Sequence, residues 1–234
     1  MSEYKMLVDW LNQNQGVLTL IIFVATCIFA WFSGIVSALR RRPVFAVDLL
    51  NGPTFCCKFD IGKKHDNGYP FYRVGFALYM RVINRGAAPS SIESISIAYK
   101  WHVKPFTVAW LRYRLGYFWL HEQTIALEDF QVDIGDSIKF YPFLFQRSSI
   151  AQNSVSTYLD IGRSVNGVVY FEQSDSWGGA FPSPRNGCVF IKIHVTDSFG
   201  GVHKSKHRIP DVNISDAMAY NPSFGKTLAA LQSE

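Results

Sequence analysis

The apolar positions divide the chain into two kinds of pattern. Residues 10–39 contain no Asp, Glu, Lys, Arg or His, and 20 of these 30 side chains are apolar. Beyond residue 43 the apolar positions come in short runs separated by Gly, Pro, Asn, Asp and Ser. The first pattern predicts one long apolar helix, and the second predicts a succession of strands.

Within the apolar segment, residues 17–39 (VLTLIIFVATCIFAWFSGIVSAL) form a run of 23. As a helix this run spans about 35 Å, enough to cross a hydrocarbon core of roughly 30 Å with some tilt. The preceding flank carries Glu3, Lys5 and Asp9, unlike the basic start of a cleaved signal peptide, whereas Arg40, Arg41 and Arg42 follow the run. Positive charge stays inside, so residues 1–16 are expected outside the inner (cytoplasmic) membrane. The basic segment 40–43 and everything after it are expected in the cytoplasm. Thr26, Ala30, Gly34 and Ala38 recur every four residues. Small side chains at that spacing make a flat ridge on which helices approach closely, so the chain is expected to self-associate through this face. No ionisable group lies in the span, and a single copy therefore offers no proton relay there.

Residues 44–210 read as strands over 44–50, 72–84, 91–103, 124–134, 137–145, 165–172, 189–197 and 202–209. The period of two is clearest where Ile95, Ile97, Tyr99, Trp101 and Val103 alternate with Ser94, Ser96, Lys100 and His102. So many short strands with little helical pattern predict an antiparallel sandwich or small barrel. Segments 81–97 (RVINRGAAPSSIESISI), 165–172 (VNGVVYFE) and 189–197 (VFIKIHVTD) resemble strand units of immunoglobulin-like β-sandwich modules. That resemblance implies an all-β fold, an antiparallel immunoglobulin-like β-sandwich behind one N-terminal transmembrane α-helix. It covers only part of the body, lacks the Cys, Trp, Cys spacing of a true immunoglobulin domain, and implies no function. The polar tail, residues 211–234, carries a short helix pattern capped by Ser223, with Phe224, Leu228 and Leu231 on one face.

Overall composition, 48% apolar and 18% charged, becomes that of an ordinary globular domain once the apolar segment is set aside. Of four cysteines, Cys27 lies in that segment, Cys56 and Cys57 are adjacent, and Cys188 opens a strand. No disulfide framework or C-x-x-C pair results, which fits a reducing compartment. Net charge is +5, and three of those charges are Arg40 to Arg42, so no nucleic-acid partner is expected. His203 and His207 on a strand would stand about 13 Å apart. With Lys204 and Lys206 beside them, no metal is expected. The sequence contains no G-x-S-x-G elbow, phosphate-binding loop or dinucleotide fingerprint, so neither catalysis nor a cofactor is expected.

One stretch departs from this ordinary picture. Residues 94–121 carry no acid, and residues 99–119 hold eight aromatic side chains. Lys100, Lys104, Trp110, Arg112, Tyr113, Arg114 and Trp119 are the candidate surface within it. Aromatic rings interleaved with cations suit a bilayer interface, a protein-partner surface, or a small phosphate-bearing ligand that stacks on rings while cations hold its phosphates. The same pattern also suits sandwich core with basic tips reaching water. In layout the chain resembles small bacterial immune effectors that join a membrane helix to a ligand-binding β domain. A membrane effector or sensor is therefore the leading expectation, ahead of a membrane-tethered adaptor and a membrane-anchored enzyme.

Overall fold

The computed structural model describes residues 6, 9–10, 13–33, 41–64, 68, 70–112, 115–144, 156–173 and 180–226. The chain separates into two compact units, Met1–Arg42 and Pro43–Glu234. In the first, helix α1 spans Gln15–Phe32, and it is long and apolar enough to cross a membrane. Its hydroxyls are turned back on the backbone: Thr19 Oγ1 donates to the Gln15 carbonyl at 2.8 Å and Thr26 Oγ1 to that of Ile22 at 2.7 Å. Each of these two hydroxyls thereby finds its partner within the helix, the arrangement a segment in hydrocarbon would need. Thr26 and Ala30 share one face, while Gly34, Ala38 and Arg40 lie outside the described residues.

The second unit is predominantly β. Its strands are β1 (Phe45–Leu49), β2 (Phe55–Lys64), β3 (Pro70–Asn84), β4 (Ser90–Lys100), β5 (Tyr117–Leu120), β6 (Phe130–Ile134), β7 (Ser137–Tyr141), β8 (Tyr158–Leu159), β9 (Ser164–Gln173), β10 (Cys188–Asp197) and β11 (Val202–Val212). Two short helices, α2 (Val108–Arg112) and α3 (Ile214–Met218), complete it. The main sheet runs β1-β3-β2-β11-β10-β4-β5, with β9 on the second edge of β3 and β8 on β4, while β6 and β7 form a separate hairpin. The expected antiparallel sandwich needs correction: this is one mixed sheet curled into a half-barrel. The cause is β11, which pairs antiparallel with β10 and then turns its end onto β2 in parallel, through Asp211 with Cys56 and Val212 with Cys57.

Strand β3 explains the layering. Val74, Phe76, Leu78, Met80 and Val82 point into the main core with Ile95, Ile97, Ile191 and Ile193 from β4 and β10. Ala77 on its other face joins a second cluster with Phe130, Tyr141, Val168, Tyr170 and Phe224. The hairpin β6–β7, α3 and the segment after it cover that face. The tail thus differs from the sequence pattern: the described helix is α3, before Ser223, and Phe224 is a buried ring beside Phe55 and Tyr170. Leu228 and Leu231 lie outside the described residues.

The segments that resemble immunoglobulin strand pairs are distributed between layers. β3 leads to β4 through a corner at Asn84, which is fully buried. Its Nδ2 donates to the carbonyls of Ala88 and Leu159, and its Oδ1 accepts from the amides of Gly86 and Val44. The two strands consequently join different parts of the sheet and do not pair. β9 and β10 likewise pair with β3 and with β4 and β11, not with each other.

Two close approaches fix the rest. Beside β9, the Val168 amide donates to the Pro142 carbonyl at 2.8 Å and the Leu144 amide to that of Val168 at 2.9 Å. Gly167 makes this possible, since a Cβ there would lie 2.6 Å from the Leu144 backbone. At the β10–β11 turn, Asp197 accepts from the amides of Phe199 and Gly201 and lies 2.7 Å from His203 Nε2. His203 Nδ1 accepts from the Phe45 amide, so the proton sits on Nε2 and is donated to Asp197. Burial pushes the Asp197 carboxyl up, but the hydrogen bonds from His203, Gly201 and Phe199 outweigh it and hold the group below its usual value.

Gly167→Ala should destabilise the body by about 1–3 kcal/mol in denaturant unfolding, because the new methyl meets backbone that cannot rotate away. Asp197 favours the folded state while ionised, and that contribution is lost as pH falls through its lowered folded value. Asp197→Asn should therefore lower the melting temperature at neutral pH and flatten the fall in stability below about pH 4.

Candidate anion-binding face

Alternation along β10 and β11 sends Val189, Ile191, Ile193 and Val195 inward and leaves Phe190, Lys192 and His194 on the outer face. On β11 the exposed parity is Lys204, Lys206 and Arg208. Antiparallel register then builds a row straight across four strands, Trp119 on β5, Ala98 on β4, Lys192 on β10 and Lys206 on β11. Beside it, His194 pairs with Lys204, and on the other side Tyr117 pairs with Lys100. Ala98 is the only small side chain in that row, and it is fully buried beneath its larger neighbours. The result is a groove of about 540 Å³ lined by Trp119, Lys192, His194, Lys204, Ser205 and Lys206.

The rings and cations on this face hold one another. Lys192 Nζ sits 3.4 Å from the Tyr117 ring centroid, and Arg208 lies over Phe190 at 4.3 Å. The Trp119 ring is 4.2 Å from His194 and stacks with His121 at 6.0 Å. Such contacts orient long side chains that would otherwise wander. The electrostatics are one-sided. Among the described strand residues of this parity on β4, β5, β10 and β11 there is no carboxylate from Ser94 onward to oppose Lys100, Lys192, Lys204, Lys206 and Arg208. Partial burial, then Lys206 and Lys204, lower the Lys192 pKa from its usual value. A cluster of like charges in a groove with a ring at its side is arranged to take an anion, which would relieve the repulsion and gain charge-assisted hydrogen bonds.

The structure divides the residues singled out by sequence. Trp119 lines the groove and Lys100 stands one row away on the same face. Tyr99 is core, and Trp101 and Phe118 pack against it. Lys104, Trp110 and Arg112 belong to the connection between β4 and β5, and Tyr113 and Arg114 lie outside the described residues. That connection leaves β4 at Lys100. The opposite end of β4, Ser90, follows the Asn84 corner where Val44 is held. An 11-residue strand is about 35 Å long, so the connection sits at the end of the body remote from Pro43. Sequence reasoning missed Lys192, His194, Lys204 and Lys206. The available signal was parity, since KIH in one run and KSK in the next place their cations on alternate positions of what become adjacent strands.

Other candidate chemistry is accounted for by packing. Cys56 and Cys57 are buried, and burial followed by the Asp211 and Asp216 charges pushes the Cys57 thiol up to about 12. Arg73 and Glu172 form a buried pair at 3.1 Å, and Tyr170 donates to the same carboxylate at 2.9 Å. Among the described residues no group of three His, Cys, Asp or Glu is placed to hold a metal ion. No family model, curated protein or solved structure matches the chain.

Replacing Lys206 by Met should raise the Lys192 pKa, because it removes a repelling charge while keeping the aliphatic stem. Side-chain NMR titration of Lys192 reads this directly, and a value unchanged in Lys206→Met would show that the three ammonium groups do not share one field.

Proposed function

We propose that this chain is a single-pass membrane protein of the sensor or effector type. In this reading its β body binds a phosphate-bearing anion in the Lys192, Lys204 and Lys206 groove, and bound copies cluster through their membrane helices. The single observation that carries this reading is the acid-free cluster of three lysines around an accessible ring. Phosphate oxygens suit it because each accepts several ammonium hydrogen bonds, and Trp119 supplies a flat apolar side for a ring attached to the phosphates. Trp119 and Tyr117 stand on β5, directly after the 101–116 connection, so a ligand touching them bears on that connection as well. The ridge of Thr26, Ala30, Gly34 and Ala38 is the proposed contact between helices, and Arg40, Arg41 and Arg42 fix the body in the cytoplasm at the inner membrane.

The test uses the full chain in detergent, with ATP and inorganic pyrophosphate as probes in calorimetry. Both should bind, more weakly as salt rises. Lys206→Glu should weaken both by about tenfold or more, the loss expected when a hydrogen bond to a charged group becomes a repulsion. Trp119→Ala should weaken ATP and leave pyrophosphate nearly unchanged. Absence of binding, or binding indifferent to Lys206→Glu, would refute the proposal.

A further inference from the structure

Two exposed apolar patches on the body carry opposite charge. The first is the flap between β4 and β5, where Phe106 is 87% exposed, Val108 82%, Leu111 63% and Leu115 56%. The flap is built rather than loose. Thr107 Oγ1 donates to the Lys104 carbonyl and accepts from the Trp110 amide, and the Leu115 amide donates to the Trp110 carbonyl. Trp110 turns toward Phe106 and Gly116, which leaves Val108 and Leu111 of α2 in solvent. Phe106 and Leu115 both sit in the left-handed region, at φ 62° and 65°, a conformation that costs a bulky side chain energy and persists when something is gained by it. Lys104 and Arg112 are exposed on the same flap.

The second patch is the hairpin β6–β7. Its inner face, Phe130 and Tyr141, seals the second core cluster. Its outer face and tip expose Ile138, Phe140 and Ile134, each more than half accessible. Asp133, which pairs with Ile138, and Asp136 in the turn are exposed beside them, while Lys139, the hairpin's one cation, has the opposite parity and lies over the Tyr141 ring at 4.9 Å. The hairpin covers the β3 and β9 face, whereas the flap hangs from the end of β4 and β5, so the two patches occupy different parts of one copy.

We infer that copies of this chain assemble head to tail, the basic apolar flap of one docking on the acidic apolar hairpin of the next. Large exposed apolar patches seek cover, and charge at their rims selects the partner. A flap against a flap would oppose Lys104 and Arg112 to their own copies, and a hairpin against a hairpin would do the same to Asp133 and Asp136, so like pairing is rejected. Flap on hairpin satisfies both. Because the two halves of the contact differ, the interface is heterologous, and it extends into a row or closes into a ring according to the angle between copies. Each contact is small. Tethering at a bilayer supplies the effective concentration that makes a weak contact sufficient. The inference stands without the anion-binding reading, since neither patch includes a groove lysine.

The test reconstitutes the full chain in liposomes in a Cys27→Ser, Cys188→Ser background, which leaves only the two buried thiols. Adding Leu111→Cys and Ile138→Cys together should give an oxidative cross-linking ladder that continues past the dimer. Mixing the two single variants should give dimers joined 111 to 138, and Leu111→Cys alone should give few. Charge reversal by Lys104→Glu with Arg112→Glu should reduce the ladder about tenfold, and adding Asp133→Lys with Asp136→Lys to the same chain should restore it. Matching thermal melts show that the variants fold. No ladder, an equally strong cross-link from Leu111→Cys alone, or a ladder indifferent to charge reversal would overturn the inference. Quenching of a fluorophore at position 111 by bilayer-embedded nitroxides would overturn it too, by assigning the flap to lipid.

Discussion

Strand β3 is 15 residues long and has to be covered on both faces, and most of the body follows from that requirement. Its inner face needs an opposing layer, which β4 and β10 provide. Its outer face needs a lid, and β6, β7, α3 and Phe224 provide it. Its first edge is shared by β1 and β2 in succession, with the chain stepping outward between them at residues 50–54. The Asn84 corner then carries the chain from one layer to the other, spending all of that side chain's hydrogen-bonding capacity inside the protein. A double-faced strand therefore sets both the thickness of the body and the position of the layer that bears the groove.

That second layer has freedom the first lacks. β4 and β10 present one face to the core and one to water, so their outer positions are available for chemistry at little cost to stability. Lys192 and His194 occupy such positions between inward isoleucines and valines. A ring lattice, with Tyr117 under Lys192 and Trp119 against His194, holds the polar groups on a platform whose backbone is secured by the core behind it. Preorganisation of this kind lets a cluster of like charges stand in a fixed place instead of splaying apart.

Much of the fold was legible in the pattern of residues. β4 and β10 announce themselves because burial on alternate positions leaves a period of two, β3 because burial on both faces leaves one long apolar run, and the helix because its apolar run carries no charge. β2 was not legible, since Phe55, Cys56 and Cys57 are buried in succession and so erase the alternation. The parallel join of β11 to β2 rests on two residue pairs that no local pattern encodes. The groove was half legible. Trp119 stood out among the aromatics, but its lysine partners lie more than 70 positions later and reach it only through register. Lys104 and Arg112 shared its composition and its neighbourhood in sequence, yet the end of β4 carries them to a different surface.

The Pro142 to Leu144 segment along β9 has a consequence for the company this chain keeps. β9 is rich in Val, Tyr and Phe, and in the main sheet it borders only β3, which makes it the sort of strand that recruits others indiscriminately. The amides and carbonyls on its far side are instead engaged by Pro142, Leu144 and Thr124 of the same chain. An open strand there would seed β-aggregation between copies. By closing that edge internally, the fold withdraws β9 as a template for strand pairing between copies.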